Sequence, residues 1–291
     1  MKDAGSALIT PSFRGDFDRC ALLVESASRH VPASVAHYLV VDRRDVPMFR
    51  PLAVGRTRLV VVEDVVPWWI MRIPAVRRFW LSLRSRPLKN WILQQIVKLS
   101  APRYAAEETL FFVDSDLFFV DRFEPSALFR EGKAPLFVEH GQRQVPSDNP
   151  WSALNDRWHE AAVKLLGIDR ETKYDTNFIG NIICWRRSVA SGLQRHIEQI
   201  TGAHWARAVA RNWTLSEYVL YGVYATRVSK NAPSCQYEDS TDRTHCYWEE
   251  TPLSEADLRR FREGLAPPKV AAMISAKSRT DVRAIRKAFG Y

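Results

Sequence analysis

Asp114 and Asp116 stand two residues apart inside the run Thr109-Leu-Phe-Phe-Val-Asp-Ser-Asp-Leu-Phe-Phe-Val120, with apolar residues on both sides. In an extended chain residues i and i+2 point to the same side, so the two carboxylates are expected to face one spot. Like charges held that close raise each other's pKa unless a cation shares them. A hard divalent ion, Mn²⁺ or Mg²⁺, meets that need, because it takes oxygen ligands from one or two carboxylates and from substrate phosphates. Asp-Ser-Asp is also good turn chemistry between two strands. The apolar runs, however, continue up to both acids, which suits strands buried on both faces. The stretch, with Ser115 between its acids, is read as delivering a metal and a metal-bound diphosphate to the end of a sheet.

A second group lies just upstream. The spacing predicts a helix over 88–99, with Leu88, Trp91, Ile92, Ile96 and Leu99 on one stripe and Gln95 in its centre. Trp91, Gln94, Gln95 and Lys98 share one edge at i, i+3, i+4, i+7 spacing. A glutamine on a core-facing position must find partners for its amide. Ligand contact and a bond to a neighbouring loop both satisfy it.

The elements that must position these residues alternate along the first half. Short apolar strands are expected at 7–10, 37–41, 58–62 and 110–113, each closed by polar or acidic residues, with a helix over 17–28. Strands alternating with helices argue for a mostly parallel sheet in an α/β fold. Ligands of such sheets bind outside the carboxyl ends of the strands, where the Asp-Ser-Asp falls. The second half is less regular: a loop at 146–151, helices at 158–166, 189–200 and 215–224, a strand over 176–185, and a polar loop at 231–250. One domain is expected over 1–291, with a nucleotide-binding half (1–125) and an acceptor-binding half with a C-terminal tail (126–291).

Bulk properties narrow the classes. Hydrophobic residues make up 46% and charged residues 26% of 291, an ordinary globular balance. No apolar run reaches the ~18–20 residues that cross a bilayer, and the N-terminus lacks the apolar core and cleavage site of a signal peptide. The four scattered cysteines read as free thiols of a reducing cytoplasm. A net charge of +9 attracts anionic partners without choosing among nucleic acid, membrane and small molecules. The alternative that this charge offers is a non-enzymatic basic protein binding nucleic acid or a membrane surface, but no nucleic-acid-binding motif is present and the Asp pair would repel phosphate without a metal, so nucleic acid is not an expected partner. Residues 65–87 form a basic, aromatic insertion interrupted by Pro67 and Pro74. It suits a lid, an acceptor-binding wall, a core-packing excursion, or, over 67–87, a peripheral contact with anionic membrane.

Assembled, these pieces resemble the GT-A glycosyltransferases, the nucleotide-sugar-dependent type, and among them bacterial proteins with an Asp-x-Asp motif. The likeness rests on a first strand running into Thr10-Pro-Ser-Phe-Arg14, acids closing the second and third strands, and the glutamine-bearing helix before Phe-Val-Asp114-Ser-Asp116. Beyond these come Asn177-Phe-Ile-Gly180-Asn181 and Ser216-Glu217-Tyr218. It covers about residues 7–230.

The resemblance implies a hexosyltransferase that moves a sugar from a nucleotide diphosphate donor, UDP-sugar favoured, to a hydroxyl acceptor (a saccharide, a lipid-linked sugar or a small molecule). Asp116 would bind Mn²⁺ or Mg²⁺ directly, and Asp114 would touch the ribose or share the metal. Thr10, Pro11, Phe13 and Arg14 would line the nucleotide pocket, with Asp42 or Asp64 near the base or ribose. Asn177, Gly180 and Asn181 would join the sugar site. His245 and Lys277 are the candidates for a further metal or diphosphate contact. Glu217 is the candidate base for the acceptor hydroxyl. The same residue completes a capping box, Thr214-x-x-Glu217, and the two readings stand side by side.

Overall fold

The computed structural model describes residues 5–73, 79–146 and 148–291. Its frame is a five-stranded sheet. Strands β1 (Ser6–Pro11), β2 (Ala36–Val41), β3 (Thr57–Val61) and β4 (Thr109–Val113) run parallel, and β6 (Ile182–Arg186) adds antiparallel to β4, in the order β6-β4-β1-β2-β3. The mostly parallel sheet expected from the strand–helix alternation is present, with an antiparallel edge contributed by the second half. The chain leaves β1 toward β2 on one side and returns to β4 on the other. The carboxyl ends of β1 and β4 therefore flank a topological switch point, where open α/β sheets hold their ligands.

Strand β4 is buried along its whole length. Leu110 and Phe112 enter one core with Ile9, Ile96 and Trp185, while Phe111 and Val113 enter another with Leu8 and Leu23. This two-faced burial explains why the strand reads as an unbroken apolar run. Helix α1 (Phe17–His30) covers the second face through Leu23 and Ala27. Helix α2 (Asn90–Leu99) covers the first through Ile92 and Ile96. Between β3 and α2 a small antiparallel sheet is formed by Ile70–Arg72, Phe79–Ser82 and Leu88–Lys89. The expected break at Pro74 lies outside the described residues.

Asp114 to Asp116 is not extended. Leu117 N donates to the Asp114 carbonyl at 3.2 Å, closing a turn into the short strand β5 (Leu117–Phe119). The turn and strand-end readings are thus joined in one feature. In the second half, helix α3 spans Pro150–Leu166 and so overruns the expected loop. Asn149 caps it by accepting from Trp151 N, with Pro150 at the first position, where its missing N–H costs nothing. The strand expected from 176 begins only at Ile182, because the Asn177 amide bonds both Ile179 N and Ile179 O and turns the chain. Helix α4 spans Glu217–Arg227. The polar loop expected at 231–250 contains two strands, Gln236–Asp239 and β7 (Thr244–Tyr247). After helix α5 (Glu255–Glu263), β8 (Ala271–Ile274) runs parallel to β7 and antiparallel to β5. The C-terminal segment is thereby brought back against the Asp-Ser-Asp turn.

Candidate active site

The turn sends its acids to different partners. Asp114 continues the face of Leu110 and Phe112, the side on which α2 packs, and meets Lys98 Nζ at 3.2 Å. Ser115 donates to Asp16 Oδ2 at 3.2 Å. Asp116 Oδ2 accepts from Ala276 N at 3.1 Å, in the turn that follows β8. Burial, with the charge of Asp114 behind it, pushes the Asp116 carboxyl up to about 6. Asp16 is raised as well, first by burial and in part by Asp114. The sheet end thus carries more negative charge than its cations neutralise.

Lys98 is the main counter-charge and is itself buried. Its ammonium lies 3.0 Å from Glu217 Oε1 and 3.2 Å from Asp114 Oδ1, and it donates to Tyr218 Oη at 2.8 Å. Burial alone would push the lysine down, but Asp114, Glu217 and Tyr218 outweigh it and hold it well above the ordinary value. Glu217, buried too, is raised by the loss of solvent, with Lys98 pulling against that rise.

Glu217 opens α4 and does not form the capping box expected with Thr214. Ser216 is the N-cap and accepts from Val219 N, which places Glu217 at the first helical position, two residues short of the box. Its own N–H goes to Gln95 Oε1 at 2.7 Å, so the core-facing glutamine of α2 supplies the helix-start acceptor. Of the two partners weighed for Gln95, the neighbouring segment has its oxygen. The register of α4 is set further along: a β-carbon at Gly222 would lie 2.2 Å from ring atoms of Phe178.

Around this cluster lies a cleft of about 760 Å³, within the usual range for small-molecule sites. Trp91, Gln94, Gln95 and Lys98 form its α2 wall, and Asp114 and Glu217 sit in it. Gly180 and Asn181 line it with Asn177, whose amide donates to Glu139 Oε2 at 2.7 Å. Trp151, Trp158 and Trp248 supply aromatic faces. Asp242, held by Lys269 at 2.6 Å, and Glu139 add carboxylates. Glu139, Trp151, Asp242 and Lys269 were not singled out from sequence. They come from irregular segments, and the one signal was the high tryptophan count, ten in this chain.

The loop after β1 lies outside that cleft. Thr10 is fully buried, its hydroxyl 3.0 Å from His37 Nε2. Pro11 ends β1, and Phe13 is exposed beyond it. Arg14 pairs with the buried Asp45 at 3.2 Å. Asp42 is engaged by Arg44 at 3.2 Å and Arg72 at 3.6 Å, and Asp64 by Arg43. These residues gather near the ends of β1 to β3, where they bond one another and their neighbours.

A divalent ion needs several oxygen or nitrogen ligands converging on one point. Among the described residues no group of three or more His, Cys, Asp and Glu side chains is arranged to hold one. His245 lines the cleft but lies on Phe261, ring centroids 4.3 Å apart, and so does not complete a triad with Asp114 and Asp116. Lys277 is exposed, 3.9 Å from Glu250, one residue after the Ala276 contact to Asp116. Asp116, raised by burial, and Asp114, shared with Lys98, offer two carboxylates to a hard ion whose remaining ligands are phosphate and water.

Residues 6–259 match the model of a protein family described as a family of unknown function (DUF6492), and the chain belongs to that family. No curated protein matches the sequence. Among solved structures, the apo form of the bifunctional glycosyltransferase WbbM is similar over 99% of this chain and 50% of its own, at 12% identity and a TM-score of 0.50. The galactosyltransferase LgtC in complex with donor and acceptor sugar analogs is similar over 98% of this chain and 95% of its own, at 9% identity and a TM-score of 0.46. The likeness to WbbM is one of fold: a central, mostly parallel sheet flanked by helices, of the GT-A kind.

Proposed function

We propose that the protein is a glycosyltransferase of the hexosyl type, using a nucleotide diphosphate sugar, UDP-sugar favoured, and a hydroxyl acceptor. The observation that carries this reading is the placing of Asp114. It ends a central strand at the switch point and opens into a tryptophan-lined cleft beside a buried Lys98–Glu217 pair.

In this reading the cleft takes the sugars, with tryptophan faces against the rings and Glu139 and Asp242 as hydroxyl acceptors. Glu217 accepts the proton of the acceptor hydroxyl. That oxygen bonds to the anomeric carbon, and the bond from that carbon to the donor phosphate oxygen breaks, releasing the nucleoside diphosphate. Burial, by raising Glu217, makes it a better base than an ordinary carboxylate. Lys98 neutralises Glu217 before the proton moves, and Asp114 stays beside the ammonium once Glu217 is protonated. Mn²⁺ or Mg²⁺ held by Asp114 and Asp116 would stabilise charge on the leaving diphosphate.

The test is a thermal-shift panel of UDP-, GDP- and dTDP-sugars with and without Mn²⁺. One nucleotide should raise Tm by several degrees, on the order of what ligand at a hundred times its Kd supplies. A flat response across the panel would remove the reading.

A further inference from the structure

The small sheet between β3 and α2 has an unusual outer face. Solvent faces of antiparallel sheets ordinarily alternate to polar residues. Here Trp80 and Ser82 point inward, while Phe79 and Leu81 of the same strand point outward. Leu81 is opposite Met71 in the register, and Leu83 lies just past the strand end. All four are exposed, and Trp68, 70% exposed, joins them under the guanidinium of Arg84, 5.4 Å from its ring. A contiguous apolar patch of this kind marks an interaction surface.

The charge around the patch is one-sided. From Val65 to Ala106 the chain carries eight lysines and arginines and no aspartate or glutamate. Arg84, Arg86 and Lys89 are exposed at its border, and Arg207 is tied to it by donating to the Arg84 carbonyl. Apolar and aromatic side chains bordered by arginine and lysine, with no acid in the segment itself, are complementary to an anionic bilayer surface. The rings and aliphatic tips reach the acyl boundary and the cations meet the headgroups.

We propose that this sheet is a docking surface for anionic membrane. Leu88–Lys89, its third strand, leads directly into α2, so a docked molecule holds the cleft close beside the lipid. The inference is independent of the transferase reading, since its test reads no activity.

The experiment is flotation of the full chain with phosphatidylcholine vesicles, with and without phosphatidylglycerol. At low salt the chain should float with the anionic vesicles alone, and high salt should release it. R84E/R86E should weaken flotation roughly tenfold or more, and Leu81→Glu should abolish it. Leu83→Ser, a milder change at an exposed position, should weaken it with an unchanged circular dichroism spectrum. Val54→Glu, at an exposed site remote in sequence, should leave it intact. No flotation on anionic vesicles, or flotation indifferent to Leu81→Glu and R84E/R86E, overturns the proposal. So does sedimentation showing a dimer of the wild type that Leu81→Glu converts to monomer, because the patch would then belong to a second copy.

Discussion

Lys98 Nζ lies 3.0 Å from Glu217 Oε1 across the contact of α2 with the start of α4, and both side chains are buried. A lysine from the first half of the chain and a glutamate from the second thus neutralise each other in a place where neither could stand alone. The pair, more than either residue, defines the floor of the cleft.

Removing one partner leaves an uncompensated buried charge. Lys98→Met should destabilise the protein by about 3–5 kcal/mol and raise Glu217 further, because the cation opposing its desolvation is gone. Urea denaturation checks the first part. A variant as stable as wild type would show that the pair is not closed in solution.

Asp116 is expected to trade stability for function. Its folded pKa, about 6, stands above the ordinary 3.8. The native state therefore binds more protons than the unfolded chain between those values, and stability falls as pH rises through that window. Above pH 6 the penalty is complete; below pH 4 it is absent. Asp116→Asn should be more stable than wild type at pH 7.5 by about 1–2 kcal/mol, after allowance for partial exposure. The gain should vanish near pH 4. In the proposed reading the same variant loses its Mn²⁺-dependent response to nucleotide. Equal melting temperatures at pH 7.5 would contradict the assigned strain.

Glu217→Gln keeps the shape of the side chain and removes the base. We expect kcat to fall by roughly 10²–10⁴-fold with KM little changed, the usual share of general base catalysis. The acidic limb of the kcat/KM profile should flatten with it. A purely structural Glu217 would instead leave that limb in place while lowering stability.

Gly222 is required by contact, not by backbone conformation. A methyl there would meet Phe178 at 2.2 Å, and overpacking of this kind costs about 1–3 kcal/mol. Gly222→Ala should therefore destabilise despite its better helix propensity. Adding Phe178→Leu should recover part of the loss. Additive losses in the double variant would place the strain elsewhere.

What could be read in the sequence divides along local and long-range lines. The strand ending in Asp114 and the helix edge of Trp91, Gln94, Gln95 and Lys98 were legible, since periodicity and apolar continuity are local signals. The partner of Lys98 was not: Glu217 lies far along the chain, and its spacing from Thr214 suggested a capping box. The Ser216 hydroxyl won the N-cap position, and Gln95 took the Glu217 N–H. Asp114 and Asp116 were expected to face one spot, but a turn sends them to Lys98 and Ala276. His245 was a plausible ligand by type, and only packing on Phe261 shows where its ring lies. Glu139, Trp151 and Asp242 had no pattern to betray them, because irregular segments carry no period.

The antiparallel edge strand has a consequence for how the chain is made. Thr109–Val113 pairs on one side with Ser6–Ile9 and on the other with Ile182–Arg186. During synthesis the second partner emerges 69 residues after Val113, counting from 113 to 182. At about 5–20 residues per second that leaves the Leu-Phe-Phe-Val edge open for several seconds. An open, apolar, uncharged edge is a template for aggregation. A fragment ending near residue 125 would keep that edge permanently, so the first half should need its second half, or a chaperone, to stay in solution.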